Sequence, residues 1–345
     1  MATNRIAKMR ARRTDEALKF AAGRAFDAAI SSIREDDSIR YVIESMKPID
    51  KEYTDNTIAE GDRIKNQLDK NLNSNSTQAE FRYQGSVTNG THVRVHSDLD
   101  LLVIDYEFVT VQPPGKVWSH YAKDPIAELK RLRGECVSIL KREFPTVKVD
   151  ASPGKCIALS GGSLRREIDV VIANWWDTAE YQQNNNEILR GVHVLDIELP
   201  ERVGNRPFYH NFQVDRRDRA VNGNLRKVCR FLKSVKYDAD PPLDMSSYDI
   251  VSMAWNMPDE LLAADKGHEL LLVANTRAFL GSLITNDDRR NGLKVPNGTR
   301  NVFGAEGATK WQLMALFKEV DELNSEIESS LAKGYRKIRE AQVQY

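Results

Sequence analysis

The chain has 345 residues, 41% of them hydrophobic and 29% charged, and its 50 basic side chains balance 50 acidic ones to a formal net charge of zero. That length exceeds one ordinary core and suits two packed subdomains, while the balanced charge gives no support for wrapping nucleic acid by bulk electrostatics. Three scattered cysteines (Cys136, Cys156 and Cys229) with no CxxC pair argue against a zinc or disulfide framework and point to a reducing cytoplasm.

The basic start, residues 1–13, has no apolar run behind it and does not read as a secretory signal. No stretch of about 18 apolar residues offers a membrane span. Residues 14–46 carry Ala17, Phe20, Ala21, Phe26 and Ile30 at roughly helical spacing. A second helix is predicted over 53–72 through Ile58, Ile64 and Leu68, closed by the polar run 71–76. The texture then changes. Residues 81–84 and 98–105 read as strands, 124–143 as an amphipathic helix, and 147–149, 155–159 and 167–173 as short strands. The Asn-rich, charged stretch 177–220 reads as loops. Helical patterning returns over 224–236, 247–256, 269–285 and 310–341. The division that follows is an N-terminal helical segment (1–50), a mixed α/β core (51–215) and a helical C-terminal part (216–345).

The chemistry concentrates in two places. Gly85-Ser86 is followed, after eleven residues, by Asp98-Leu99-Asp100 at the head of an apolar run. In a strand, positions i and i+2 share a face, so Asp98 and Asp100 project together while Leu99 and Leu101 point into a core. Adjacent carboxylates repel unless a cation lies between them, and a hard divalent ion takes oxygen ligands. A later strand, Glu167-Ile168-Asp169-Val170-Val171, sets another carboxylate among β-branched neighbours. Three converging carboxylates suit two metal ions roughly 3.5–4 Å apart that clamp the two oxygens of a phosphoryl transfer. Glu167 competes with Asp169 for the third place. Gly85 lets backbone approach a phosphate, and the Ser86 hydroxyl, neighbouring N–H groups and a following helix N-terminus would bind a triphosphate.

Gly85-Ser86 with Asp98-Leu99-Asp100 is similar to the signature of the polymerase-β-like nucleotidyltransferases. Asn224-Leu225-Arg226-Lys227-Val228-Cys229-Arg230-Phe231-Leu232-Lys233 resembles the helix that carries a donor-phosphate lysine in oligoadenylate synthases and cyclic GMP–AMP synthase. Ser246-Ser247-Tyr248 resembles the helix start that follows it there. The chain therefore resembles the cGAS/DncV-like nucleotidyltransferases (CD-NTases), the cyclic-oligonucleotide synthases of bacterial anti-phage (CBASS) signalling.

This resemblance implies a polymerase-β-like α/β core with a small mixed sheet, joined to a helical, oligoadenylate-synthase-like half. Asp98, Asp100 and Asp169 would be catalytic residues and metal ligands for two Mg²⁺ (or Mn²⁺) ions. Gly85 and Ser86 would hold the donor triphosphate, Lys233 and Ser247 its β- and γ-phosphates, and Tyr248 would stack on the base. The substrates would be NTPs, ATP first among them. The product would be a cyclic di- or trinucleotide that acts on a separate effector protein. No Cys/His cluster supports a double-stranded DNA trigger. Two alternatives stand beside it: template-independent synthesis of linear oligonucleotides, and a catalytically inactive nucleotide sensor, against which the intact Asp98, Asp100 and Asp169 speak.

From the residues alone, Leu225, Val228, Cys229, Leu232 and Val235 form an apolar helical stripe, bordered by Arg226, Arg230 and Lys233. Arg165-Arg166 reads either as a phosphate contact or as the flank of a hairpin. Trp175-Trp176 reads as core or rim. His92 and His96 read as solvated loop histidines, and Asn297-Gly298-Thr299-Arg300 as a turn without chemistry.

Overall fold

A computed structural model describes residues 5–6, 37–94, 96–115, 121–199 and 201–343, with side chains up to residue 332. The helix expected over 14–46 is present as α1 (Asp37–Met46), and its earlier part lies outside the described residues. The chain divides into two compact units, one of residues 49–215 and one of residues 1–48 with 216–345.

In the first unit, α2 (Lys51–Ser74) buries Tyr53, Thr57, Gly61, Ile64, Leu68 and Leu72, a spacing of three and four that keeps one face inward. Helix α3 (Pro125–Glu143) starts where the Asp124 carboxylate accepts the Ile126 N–H at 2.9 Å and Pro125 presets the first helical φ. It buries Leu129, Leu132, Cys136, Ile139 and Leu140. Each such side chain contributes about 1.5–3 kcal/mol of hydrophobic stabilisation.

Both helices cover one face of a seven-stranded mixed sheet: β1 (Ala79–Gln84), β2 (Leu99–Val111), β3 (Lys148–Asp150), β4 (Ile157–Ser160), β5 (Ile168–Asp177), β6 (Gly191–Val194) and β7 (Val203–Asn205). The main order is β1-β2-β5-β4-β3, with β6 pairing both β5 and β7. Strands β2 and β5 run parallel, and the other pairings are antiparallel.

The two faces separate by residue parity. Leu99, Leu101, Val103, Ile168, Val170 and Ile172 pack with Ile64, Leu68, Leu129 and Leu132 of the helices. Leu102, Ile104, Val171 and Ala173 pack on the other side with Trp175, Val192 and Val194. This alternation puts Asp100 and Asp169 on the face away from α2 and α3.

The stretch 177–220 is not loops. It forms α4 (Ala179–Asn184), a 3₁₀ turn (Glu187–Leu189), β6, β7 and α5 (Pro207–Ala220), within which the unit boundary falls. Its polar residues act as caps. Thr178 accepts the Tyr181 N–H at 3.1 Å and Asn186 accepts the Ile188 N–H at 3.0 Å. Strand β6 exists because β5 offers a free edge over Ala173–Trp176, a contact that local composition does not encode.

The second unit contains α1 and the helices α6 (Asn224–Asp238), α7 (Ser247–Trp255), α8 (Asp259–Leu262), α9 (Leu270–Thr285), α10 (Asp287–Gly292) and α11 (Lys310–Val343). Side-chain hydrogen bonds tie helix α1 to these helices. The Tyr41 hydroxyl donates to Asp238 at 3.1 Å, Ser38 donates to Glu326 at 2.6 Å, and Arg230 donates to the Met46 carbonyl at 2.9 Å. No helix among the described residues is long and apolar enough to cross a membrane.

Candidate active site

Parallel pairing sets Asp100 directly beside Asp169, as it sets Leu99 beside Ile168. Asp98 stands one residue ahead of β2 and is exposed, and Glu167, also exposed, stands one residue ahead of β5. The Leu99 N–H donates to the Glu167 carbonyl at 3.2 Å, so the backbones converge here. Burial raises the pKa of the Asp169 carboxyl. The Cys156 thiol opposes this by donating to it, and the Glu167 charge adds to the rise. Burial, together with the Asp169 charge, pushes the Cys156 thiol up to about 12.

Among the described residues, no three His, Cys, Asp or Glu side chains are grouped tightly enough to hold a metal ion alone. The register assembles two carboxylates with a third at the strand entrance, rather than a closed cage. An all-oxygen, incomplete donor set of this kind fits Mg²⁺ or Mn²⁺, which bind through a few carboxylates and take their remaining ligands from water and substrate phosphates.

Gly85 follows β1, whose last residue, Gln84, pairs with Asp100. Its φ is +84°, and a Cβ there would collide with the Asp100 carboxylate. Glycine at this position therefore meets both a left-handed backbone and a close approach. The segment after it is a hydrogen-bonded turn, not the helix start expected from the sequence. Thr91 N–H donates to the Ser86 carbonyl at 3.1 Å, and Thr88 donates to the Gly85 carbonyl at 2.8 Å. Asn89 accepts both the N–H and the hydroxyl of Thr91, at 3.2 and 2.7 Å. Asn211 of α5 donates to Thr88 at 3.0 Å and holds the turn from outside. Asn211 lies within the stretch read as loops, where no sequence signal marked it.

The remaining candidates belong to the second unit. On α6, the stripe Leu225, Val228, Cys229, Leu232 and Val235 is fully buried. The expected basic border is not one surface. Arg226 pairs with Asp218 at 2.8 Å, and Arg230 is buried against the Met46 carbonyl. Lys233 is only 1% exposed, which removes the reading of a solvated helix face. Helix α7 begins at Ser246, whose hydroxyl accepts the Tyr248 N–H at 3.1 Å. The Ser247 and Tyr237 hydroxyls lie 3.1 Å apart.

Tyr248 donates to buried Asn297 at 3.1 Å, and the Arg300 guanidinium, paired with Asp249 at 2.7 Å, lies 5.2 Å from its ring centroid. Burial pushes its phenol up to about 12. The 297–300 turn, to which the sequence reading assigned nothing, is therefore what fixes Tyr248. Of the other candidates, Trp175 is core, and Trp176 stacks on His193 at 5.0 Å. His92 is buried, within 2.9 Å of the Thr54 hydroxyl, rather than solvated.

The cGAS/DncV-like nucleotidyltransferase C-terminal helical domain matches residues 213–328. The cyclic dinucleotide synthase CdnE of Yersinia aleksiciae is 38% identical over 272 residues, which cover 78% of this chain and 71% of that protein. A c-di-GMP synthase of Capnocytophaga granulosa is 27% identical over 322 residues, covering 87% of this chain and 90% of that one. The solved structure of the STING-associated CdnE c-di-GMP synthase of Capnocytophaga granulosa superposes with a TM-score of 0.76 at 25% identity, over 95% of this chain and 99% of that one.

Proposed function

The chain belongs to the cGAS/DncV-like nucleotidyltransferases, and from that premise we propose that Asp98, Asp100 and Asp169 are its catalytic carboxylates in the template-independent joining of two NTPs into a cyclic dinucleotide. In each of two rounds a ribose hydroxyl oxygen bonds to an α-phosphorus, the bond from that phosphorus to the pyrophosphate breaks, and the hydroxyl proton is lost. Asp98, Asp100 and Asp169 would hold Mg²⁺ or Mn²⁺, proposed as two ions, which when bound lower the pKa of the attacking hydroxyl and neutralise triphosphate charge.

The observation that carries this reading is the placement of Asp100 beside Asp169, with Gly85 cleared against Asp100. Asp169, whose carboxyl is raised in pKa by burial, is the proposed proton acceptor for the hydroxyl. Gly85 and Ser86 bind the donor triphosphate through turn N–H groups and a hydroxyl, without the help of a helix terminus. Lys233 and Ser247 add contacts to the β- and γ-phosphates, and Tyr248, held by Asn297 and Arg300, offers a ring face to the base. GTP stands beside ATP as a proposed substrate, a reading that the c-di-GMP synthases among its relatives support. The STING association of the Capnocytophaga structure supports a separate effector protein that reads the product in anti-phage signalling.

The test is incubation of the purified protein with Mg²⁺ or Mn²⁺ and each labelled NTP, singly and in pairs, followed by phosphatase treatment and mass analysis. A phosphatase-resistant cyclic dinucleotide is expected. It should fall by at least about 10³-fold in an Asp98→Ala, Asp100→Ala double variant, and vanish with EDTA until metal is returned. A ladder of linear products would move the assignment to an oligonucleotide polymerase. Unaltered synthesis by the double variant would remove the carboxylates from the mechanism.

A further inference from the structure

Tyr53, Arg94 and Arg166 meet beside helix α2, where the proposed mechanism makes no use of them. Tyr53, near the start of α2, is buried. Its ring is approached by two guanidinium groups, Arg166 at 3.9 Å and Arg94 at 4.6 Å from the centroid. These arginines come from the two segments that lead into the acidic strands: Arg94 lies four residues before Asp98, and Arg166 three before Asp169. Arg166, just ahead of β5, faces α2 through Tyr53 and Glu60.

Helix α2 grips the same two segments at further points. Thr54 meets His92 at 2.9 Å. Glu60 accepts the N–H groups of Arg165 and Arg166, each at 3.1 Å, and Arg63 donates to the Ser163 hydroxyl at 2.9 Å. All four helix residues lie within the first four turns of α2. One rigid element therefore touches both strand entrances, and Tyr53 touches them with a single ring.

We propose that Tyr53 is a positioning residue: by holding both Arg94 and Arg166 against its ring it locks the entrances of β2 and β5 together and so steadies Asp98 and Asp100 against Asp169. The proposal rests on those carboxylates being the metal ligands. A ring face attracts a guanidinium through its quadrupole, and the attraction grows when both are removed from water. That attraction acts through the ring face, which a phenylalanine keeps. Residues that hold metal ligands in place cost about 10–100-fold in metal affinity or activity when removed.

The experiment compares Tyr53→Leu, Tyr53→Phe and Arg166→Met in the full chain. Three readouts are taken: turnover against Mn²⁺ concentration, Mn²⁺ binding to the nucleotide-free protein by electron paramagnetic resonance, and backbone hydrogen exchange. Tyr53→Leu should weaken Mn²⁺ binding and activation by about tenfold or more and speed exchange over 92–98 and 163–169 while leaving α11 unchanged. Arg166→Met, which removes one stack at a partly exposed position, should give a smaller change of the same kind, and Tyr53→Phe should match the parent.

Parent-like binding and exchange in Tyr53→Leu would overturn the proposal. So would faster exchange throughout 49–215 in Tyr53→Leu with none in Arg166→Met, which would make Tyr53 ordinary core. Equal damage from Tyr53→Phe would also overturn it, because the hydroxyl would then carry the effect. If the carboxylates are not the metal ligands, the Asp98→Ala, Asp100→Ala variant keeps full Mn²⁺ binding, whereas the exchange readout on Tyr53 still reports whether the clamp exists.

Discussion

At Gly85 two requirements meet in one residue. The backbone is left-handed, and the space a side chain would fill is occupied by the Asp100 carboxylate. Gly85→Ala therefore incurs backbone strain of about 1–2 kcal/mol and displaces the Asp100 carboxylate, the proposed metal ligand, by contact. Synthesis should fall by about 10²-fold or more, because misplacement by about 1 Å at a reacting centre costs that much. The thermal midpoint should drop only modestly. Steady-state turnover beside a melting curve checks this; a variant with parent activity would show that the turn tolerates a Cβ and that Asp100 need not stay where it is. Asp169 illustrates the complementary device. Burial raises the pKa of its carboxyl and so makes its charged form costly in the strand.

Elements are set by local signals more reliably than single side chains are. Helix α3 has an Asp124 cap, Pro125 in the first turn, and Lys141 and Arg142 in the last, where they complement the helix dipole. It packs its apolar stripe on β2 and β5 and thereby supports the strands that carry the carboxylates. Removing the cap with Asp124→Ala should cost about 1 kcal/mol, read as a lower urea midpoint at unchanged slope. Because α3 also directs Arg133, which donates to the carbonyls of Ala151, Pro153 and Cys156 at 2.8–2.9 Å, fraying of the helix should stop short of that buried arginine. Activity should persist in this variant while stability falls.

Global stability carries a pH signature from a residue far along β2 from the active site. Asp105 is buried, chiefly by which its pKa is pushed up to about 6; the Glu107 N–H opposes the rise and the Glu128 charge adds to it. The folded state thus holds this proton more tightly than the unfolded chain, whose Asp titrates near about 3.9. Stability from this group is complete below about pH 4 and is lost as pH rises through about 6, an amount on the order of 1–3 kcal/mol. Urea unfolding of the parent at pH 5 and pH 8 should show the decline, and Asp105→Asn should flatten it. A parent curve that rises over this window would exclude Asp105 as the controlling group.

Strand parity and helix periodicity are local properties. They made the core strands, the faces of α2, α3 and α6, and the face of β2 that carries Asp100 readable from the sequence. Gly85-Ser86 with the Asp-x-Asp pair, and the 224–233 helix, were specific enough to point to the nucleotidyltransferase family. The parallel register that puts Asp100 beside Asp169 joins segments distant in sequence, and only the packing of β5 between β2, β4 and β6 decides it. The same holds for β6 and β7 in a stretch that looked like loops, for the burial of Lys233 and His92, and for the attachment of Tyr248 to the 297–300 turn. Composition describes what a segment can do alone. Which edge it pairs with, and which charge it must face, is determined by the rest of the fold.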